Sequence, residues 1–230
     1  MPLTTMPHTP RKRFGQNFLR DESVIKDIAR AVAPREEDHL VEIGPGEGAL
    51  TQALIGSGCR LDAIELDRDL RTRLLAAFST HAGFALHSAD ALNFDFTSLP
   101  TGGNLLRVVG NLPYNISTPL IFKLLDQAVV IADMHFMLQL EVVERLAAAP
   151  GNKDWGRLGV MAQFQCEVEQ LFEVPPEAFT RRPKYSPLWF GSRRTLRSLT
   201  PVLIARRSLK LSRRRSPSAA RRCAITLKAH

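Results

Sequence analysis

Residues 111–114, Asn-Leu-Pro-Tyr, bring an amide, a proline-stiffened turn and an aromatic ring together in the chain. An apolar run at residues 105–109 precedes them and predicts a buried strand. The Ser-Thr-Pro of residues 117–119 follows them and predicts the start of a helix. Because ligands of open α/β sheets bind at the carboxyl ends of strands, we predict a binding site at this turn.

The residue types of this turn suit chemistry on an adenine amino group, which is a weak nucleophile because its lone pair is delocalised into the ring. Acceptors for both of its N–H groups favour a tetrahedral nitrogen as charge develops. The side-chain oxygen of Asn111 and the main-chain carbonyl of Leu112 are such acceptors, and Pro113 stiffens the turn. Tyr114 can stack on a base that is flipped out of a duplex or lies in a loop. We therefore predict a catalytic turn for N6 methylation; a strand-ending turn in which Asn111 bonds its own backbone is the alternative.

A glycine-rich turn follows the predicted strand at residues 39–43. Gly44, Gly46 and Gly48 allow the backbone to approach a ligand closely at the start of the next helix. Their spacing is Gly-x-Gly-x-Gly, which differs from the Gly-x-Gly-x-x-Gly of dinucleotide binding. We therefore predict that Gly44 and Gly46 bind a nucleoside cofactor of another kind.

Acidic residues end the next two predicted strands. Glu65 lies 21 residues after Gly44, a distance at which an acid accepts hydrogen bonds from ribose hydroxyls. Glu47, in the glycine turn itself, would repel a pyrophosphate, so S-adenosylmethionine, which has no phosphate, fits better. Asp90 could accept from the adenine amino group of that cofactor. Ordinary turns with capping acids are the alternative.

The elements that must position these residues alternate along the chain. Strands are predicted at 39–43, 61–65, 84–87, 105–109 and 134–140, and helices from residue 21 and at 49–55, 67–78, 119–129 and 141–149. Strands alternating with helices imply a mostly parallel sheet covered on both faces, an α/β fold of the Rossmann-like type.

Composition excludes several classes of protein. The sequence is 44% hydrophobic, enough for a real core, but no apolar run is long enough to span a membrane. Cys59, Cys166 and Cys223 are scattered and odd in number, so they indicate neither a disulfide framework nor a metal site. We expect a cytoplasmic protein.

The net charge of +8 is distributed very unevenly. Residues 1–180 contain 16 Lys/Arg and 23 Asp/Glu, a balance of −7, whereas residues 181–230 contain 15 Lys/Arg and no acid, a balance of +15. Such asymmetry marks a separate segment.

A second basic segment lies near the N-terminus. Arg11, Lys12 and Arg13 stand beside Phe14, a mixture that suits phosphate contact and packing in RNA binding. A solvated arm is the alternative.

Together these motifs resemble the ribosomal RNA adenine dimethyltransferases, specifically the bacterial small-subunit type. The matching stretches are Arg-Phe-Gly-Gln-Asn-Phe-Leu at 13–19, Glu-Ile-Gly-Pro-Gly-Glu-Gly at 42–48, Glu-Leu-Asp at 65–67, Asp-Ala at 90–91, Asn-Leu-Pro-Tyr-Asn-Ile-Ser-Thr-Pro at 111–119 and Val-Pro-Pro-Glu-Ala-Phe at 174–179.

The resemblance implies an S-adenosylmethionine site, a substrate and a partner. The implied cofactor residues are Asn17, Leu19, Gly44, Glu65, Asp90 and Asn111. The implied substrate is a pair of adjacent adenines in a hairpin of small-subunit rRNA, each dimethylated at N6, and we expect a monomer acting on the immature subunit. Phe179 would pack near the flipped base, although by composition it is equally a core residue. Leu140 replaces a lysine that the family usually has, so an RNA contact is absent there.

The resemblance ends near residue 184, where the family continues with a strand of the type Val-x-Ser-Ala-Val-Val-Arg and a small helical domain. One choice of codons for residues 185–191, read one base out of frame, gives Val-Gln-Ser-Ala-Val-Val-Arg. We therefore predict an arm (1–20), a Rossmann-like methyltransferase domain (21–184) and a disordered basic tail (185–230) produced by a frameshift; an RNA-binding arm is the alternative for the tail.

Three other functions share parts of this pattern. A large-subunit adenine methylase of the macrolide-resistance type has the same turn chemistry, but residues 174–179 favour the small-subunit type. A non-catalytic ribosome-assembly factor could keep the fold, although the intact 111–114 turn argues against it. A nicotinamide dehydrogenase is disfavoured by the glycine spacing.

Overall fold

The computed structural model describes residues 17–100, 102–180, 187–194 and 225–229, the last two stretches through their backbones alone. The helices of these residues are α1 (Glu22–Val32), α2 (Ala49–Ile55), α3 (Arg68–Phe78), α4 (Tyr114–Asp126), α5 (Leu140–Ala147) and α6 (Arg157–Gln165). The strands are β1 (His39–Ile43), β2 (Arg60–Ile64), β3 (Phe84–His87), β4 (Leu106–Asn111), β5 (Ile131–Gln139), β6 (Cys166–Glu173), β7 (Pro187–Arg194) and β8 (Ile225–Ala229).

These strands form one sheet in the order β3-β2-β1-β4-β5-β7-β6-β8. The first five strands of the chain pair in parallel, while β7 is antiparallel to both β5 and β6. The chain runs outward from β1 to β3 and then returns to place β4 on the other side of β1. The crevice beyond β1 and β4 is therefore the switch point at which such sheets bind ligands. The predicted α/β, Rossmann-like fold is confirmed.

Both faces of the central strands are buried, which explains their near-continuous apolar sequence. Val41 and Val108 pack into a cluster with residues of α4 and α5, whereas Leu40 and Val109 pack into a second cluster with residues of α1 and α2. Neighbouring residues of a strand point to opposite faces, so helices must cover both sides of β1 and β4.

Helix starts follow local capping chemistry. The Asp21 carboxylate accepts from the main-chain N–H of Ser23 at 2.8 Å and thereby begins α1, as predicted. Helix α4 begins at Tyr114, five residues before the predicted start, and contains Pro119 in its interior. Pro113 supplies the N-cap with a φ of −59°, and the N–H of Ser117 donates to its carbonyl. The helix therefore follows the 111–114 turn without a gap.

The segment beyond residue 184 contributes to the sheet, because β7 and β8 both belong to it. Residues 187–194 and 225–229, which we had assigned to a disordered tail, are strands of this sheet. Residues 181–186, where we placed the domain boundary and the frameshift, lie outside the described residues, as do residues 195–224 and the N-terminal residues 1–16. Helix α6 and strand β6 had not been predicted from the sequence. No helix in the described ranges is long and apolar enough to cross a membrane.

Candidate active site

The glycine turn after β1 is built from left-handed backbone. Gly44, Gly46 and Gly48 have φ angles of 66°, 61° and 85°, which side chains rarely adopt. A Cβ added to Gly44 would meet no atom of the structure within 4 Å, whereas one added to Gly48 would lie 2.6 Å from the ring of Phe78. Gly44 therefore faces open space at the site, and Gly48 allows the turn to pack on α3.

Glu65 follows β2 and faces this glycine turn. Its two carboxylate oxygens accept from the main-chain N–H groups of Gly46 at 3.4 Å and Asp67 at 2.8 Å. Burial raises the pKa of Glu65, and these hydrogen bonds act in the opposite direction. The structure thus brings the predicted ribose acceptor and the predicted cofactor turn together.

Asp90 follows β3 and organises its own turn. One carboxylate oxygen accepts from the N–H of Leu92 at 2.9 Å, and the other accepts from the side-chain amide of Asn93 at 3.0 Å. A carboxylate offers about four lone-pair sites, so these bonds leave capacity for a further donor such as an adenine amine.

Asn111 is the last residue of β4, and its amide is oriented by a distant segment. Its Nδ2 donates to the main-chain carbonyl of Asn17 at 2.9 Å. Its Oδ1 accepts no hydrogen bond from the residues that the structure describes. The side chain therefore does not bond its own backbone, and its acceptor end is available to a ligand.

The rest of the turn presents a second acceptor and a ring. Leu112 is buried and donates its N–H to the carbonyl of Met137, while its own carbonyl accepts from no described residue. Tyr114, at the start of α4, is 58% exposed. These features are those expected of a turn that holds a planar base.

Phe179 lies next to the N-terminal segment. Leu19 and Phe179 form an antiparallel bridge, and both side chains are buried in the cluster that contains α1. The structure thereby brings Asn17, Leu19, Asn111 and Phe179 into one neighbourhood. Arg11, Lys12 and Arg13 lie outside the described residues.

Two acidic residues near the glycine turn had no predicted partners. Glu42, on β1, is buried, and the Thr51 hydroxyl donates to it at 2.7 Å. Burial raises its pKa to about 7 against the effect of that hydrogen bond, and the charge of Glu65 adds to the increase. The sequence could have indicated Glu42, because it is an acid inside the apolar strand His-Leu-Val-Glu-Ile.

The charge of Glu47, in the glycine turn, is partly offset by two cations. Glu47 lies 3.5 Å from Arg20 and 3.9 Å from Arg73, so it repels a phosphate less than its sequence position suggests.

Further charged clusters lie at the opposite end of the sheet and hold the fold together. Asp62 accepts from the ring nitrogens of His39 and His87. Arg107 contacts Asp133 at 3.0 Å. No group of three or more potential metal ligands occurs among the described residues.

A glycine turn after β1, an acid after β2 and a polar acceptor turn after β4 are the arrangement of Rossmann-like methyltransferases that use S-adenosylmethionine. The chain belongs to the ribosomal RNA adenine dimethylase family, whose pattern matches residues 7–186. The chain is 63% identical over 177 residues to "Ribosomal RNA small subunit methyltransferase A" of Pseudomonas aeruginosa. That match covers 77% of this chain and 66% of the relative, so the chain spans slightly less than two thirds of the relative's length.

Solved structures show the same fold. The "23S rRNA methyltransferase ErmE" superposes with a TM-score of 0.70 at 29% identity, over 81% of this chain and 73% of that one. A dimethyladenosine transferase from Plasmodium falciparum superposes with a TM-score of 0.67 at 25% identity, over 76% of this chain and 62% of that one.

Proposed function

We propose that this chain transfers methyl groups from S-adenosylmethionine to the N6 atoms of two adjacent adenines in a small-subunit rRNA hairpin, during ribosome biogenesis. The observation that carries the proposal is the pair of available acceptors, Asn111 Oδ1 and the Leu112 carbonyl, beside the exposed ring of Tyr114. The name of the Pseudomonas aeruginosa relative supports the choice of small-subunit rRNA.

The roles of the acceptor turn follow from hydrogen-bond chemistry. The two N–H groups of the adenine amine donate to Asn111 Oδ1 and to the Leu112 carbonyl, which localises the nitrogen lone pair as positive charge develops. Tyr114 stacks on the flipped base and Pro113 keeps the two acceptors in a fixed relation. Phe179, buried beside Leu19, supports the wall of this pocket.

The cofactor residues fit a phosphate-free nucleoside. S-adenosylmethionine supplies an electrophilic methyl group when bound. Glu65 accepts from the ribose hydroxyls, Asp90 accepts from the adenine amine, and Gly44 and Gly46 let the backbone approach the ligand. Asn17 and Leu19, from the N-terminal segment, close the same site together with Asn111.

The basic residues Arg11, Lys12 and Arg13 contact rRNA phosphates in this proposal. We also propose that the protein acts as a monomer on immature small subunits in the cytoplasm. The division at residue 184 and its origin in a frameshift remain proposals, supported by the end of the family match at residue 186. Sequencing the gene across codon 184 tests them: codons that cannot produce the Val-x-Ser-Ala-Val-Val-Arg strand in the shifted frame exclude the frameshift.

The function is tested by transfer of label from radioactive S-adenosylmethionine to small subunits that lack the two dimethyladenines. We expect label in small-subunit rRNA with the wild-type chain and loss of at least about a hundredfold in rate with Asn111→Ala, as for other transition-state acceptors. Asn104→Ala, just before β4 at the far end of the same strand, is the matched control and should retain activity. Binding of subunits without label transfer would instead indicate an assembly factor.

A large-subunit rRNA adenine methylase is the second candidate, because the ErmE structure has the same fold at 29% identity. The same assay with protein-free large-subunit rRNA separates the two. Label in large-subunit rRNA alone would replace our proposal with this one.

A further inference from the structure

Residues 17–21, which we call the strap, contact both the glycine turn and Asn111. The role inferred for them here rests on the proposed function. We infer that the strap determines which end of the Asn111 amide faces the substrate, and that Arg20 is a positioning residue that holds the strap in place. The contact that carries this inference is the 2.9 Å hydrogen bond from Asn111 Nδ2 to the Asn17 carbonyl, across 94 positions of the chain.

The argument begins with the two unlike ends of an amide. Nδ2 only donates and Oδ1 only accepts, so rotation of the Asn111 side chain by half a turn exchanges their places. The adenine amine presents N–H donors, and only Oδ1 can accept from them. The Asn17 carbonyl accepts from Nδ2 and therefore keeps Oδ1 toward the ligand. Without that carbonyl, an NH₂ group could face the amine, and the site would lose its acceptor.

One side of the strap is fixed by main-chain hydrogen bonds. The N–H of Arg20 donates to the Ala178 carbonyl at 2.8 Å, and the N–H of Thr180 donates to the Phe18 carbonyl at 2.9 Å. The Leu19–Phe179 bridge lies between these two bonds. This side of the strap is thus an additional short strand pair.

The other side of the strap rests on the glycine turn. The ring of Phe18 is buried, and its atoms lie 3.0 Å from the position that a Cβ on Gly46 would occupy. The guanidinium of Arg20 lies 3.5 Å from the Glu47 carboxylate. Because the same five residues contact the cofactor turn and orient the acceptor amide, movement of the strap would change both. The Arg20–Glu47 pair is a side-chain contact between the strap and the glycine turn that can be removed without opening the core.

The experiment measures kcat and KM for small-subunit rRNA with Arg20→Ala at saturating S-adenosylmethionine. Because an exposed ion pair contributes up to about 1 kcal/mol, we expect kcat to fall about threefold to fivefold with KM unchanged. Arg73→Ala is the matched control: it removes the other guanidinium near Glu47 from α3, outside the strap, and should leave kcat unchanged.

A second variant and a structural readout complete the test. Phe18→Ala removes the packing on Gly46 and should lower kcat by about tenfold or more, since a truncated buried aromatic costs several kcal/mol of local stability. In ¹⁵N spectra the side-chain amide signal of Asn111, identified by its loss in Asn111→Ala, should shift in Arg20→Ala and not in Arg73→Ala.

Two results would overturn the inference. A rise in KM for rRNA with kcat unchanged in Arg20→Ala would make this 60% exposed side chain an RNA phosphate contact instead. An unchanged kcat together with an unmoved Asn111 signal in both Arg20→Ala and Phe18→Ala would show that the strap does not orient the amide. Either result leaves the proposed function standing, whereas activity retained in Asn111→Ala would refute the role of that residue itself.

Discussion

The Thr51 hydroxyl on α2 donates to the buried carboxyl group of Glu42 on β1 over 2.7 Å, which ties the helix after the glycine turn to the strand before it. Burial raises the pKa of Glu42 to about 7, well above the value of 4.5 for a solvated glutamate. The carboxyl group therefore keeps its proton to a much higher pH in the folded protein than a solvated glutamate does.

This pKa predicts how stability changes with pH. Between pH 4.5 and 7 the folded state binds more protons at Glu42 than the unfolded state, so the free energy of unfolding falls as pH rises through this range. Glu42→Gln keeps an oxygen for Thr51 and removes the charge. Above pH 7 we expect the variant to be more stable than the wild type by up to about 3 kcal/mol, and near pH 4.5 the two should be equal.

Urea unfolding at pH 5 and pH 8 measures this difference. Glu36→Gln, at an exposed position before β1, is the control and should change neither value. A constant difference between Glu42→Gln and the wild type at both pH values would mean that Glu42 remains ionised in the folded state.

Gly44 and Gly48 provide a matched pair of substitutions. Both have positive φ, so alanine costs about 1–2 kcal/mol of backbone strain at either position. The added Cβ enters open space at Gly44 but meets Phe78 at 2.6 Å at Gly48. We expect the free energy of unfolding of Gly48→Ala to be lower than that of Gly44→Ala by about 1–3 kcal/mol. We expect Gly44→Ala to weaken S-adenosylmethionine binding about tenfold or more. Calorimetric titration and urea unfolding check both parts; wild-type cofactor affinity in Gly44→Ala would place the ligand elsewhere.

Asp62 links three strands through two histidines. Burial alone would raise its pKa, but hydrogen bonds from His39 and His87 outweigh that effect and lower it to about 2. The stability that this group provides is present above pH 3.8 and is lost as pH falls through 2. Asp62→Asn should therefore lower the free energy of unfolding at pH 7 by about 2 kcal/mol, measured with urea. Asp126→Asn, at the exposed end of α4, should stay within about 0.5 kcal/mol of the wild type, and an equal loss in both variants would contradict the assignment.

Arg107 joins α1 to the sheet. Its guanidinium contacts Asp38 at 2.5 Å and Asp133 at 3.0 Å, and donates to the carbonyl of Val32 at the end of α1 at 2.6 Å. Arg107→Met leaves the buried Asp133 without this cation, which should cost about 3–5 kcal/mol in thermal or urea unfolding.

The exposed Arg30–Asp27 pair supplies the control for that variant. Both of its side chains are at least half exposed, so Arg30→Met should cost less than about 1 kcal/mol. Similar losses from the two variants would show that Arg107 contributes no more than a surface pair.

Local patterns predicted much of this molecule. The glycine turn, Glu65 and the 111–114 turn each follow an apolar strand, and parallel strands bring such positions to one edge. The hydrogen bond between Asn111 and Asn17 could not be predicted from the sequence, because no local pattern relates residues 94 positions apart. The start of α4 was misplaced because Pro119 suggested a first turn, whereas Pro113 already provides the N-cap.

The position of β7 has a consequence for synthesis of the chain. β7 lies between β5 and β6, although β6 is made first. The nascent chain therefore leaves the far edge of β5 unpaired, and β6 outside the parallel part of the sheet, until residues 187–194 emerge and insert. An apolar strand with an open edge is an aggregation hazard. Truncation of the chain just before residue 187 would therefore lower the solubility of the residues that precede β7.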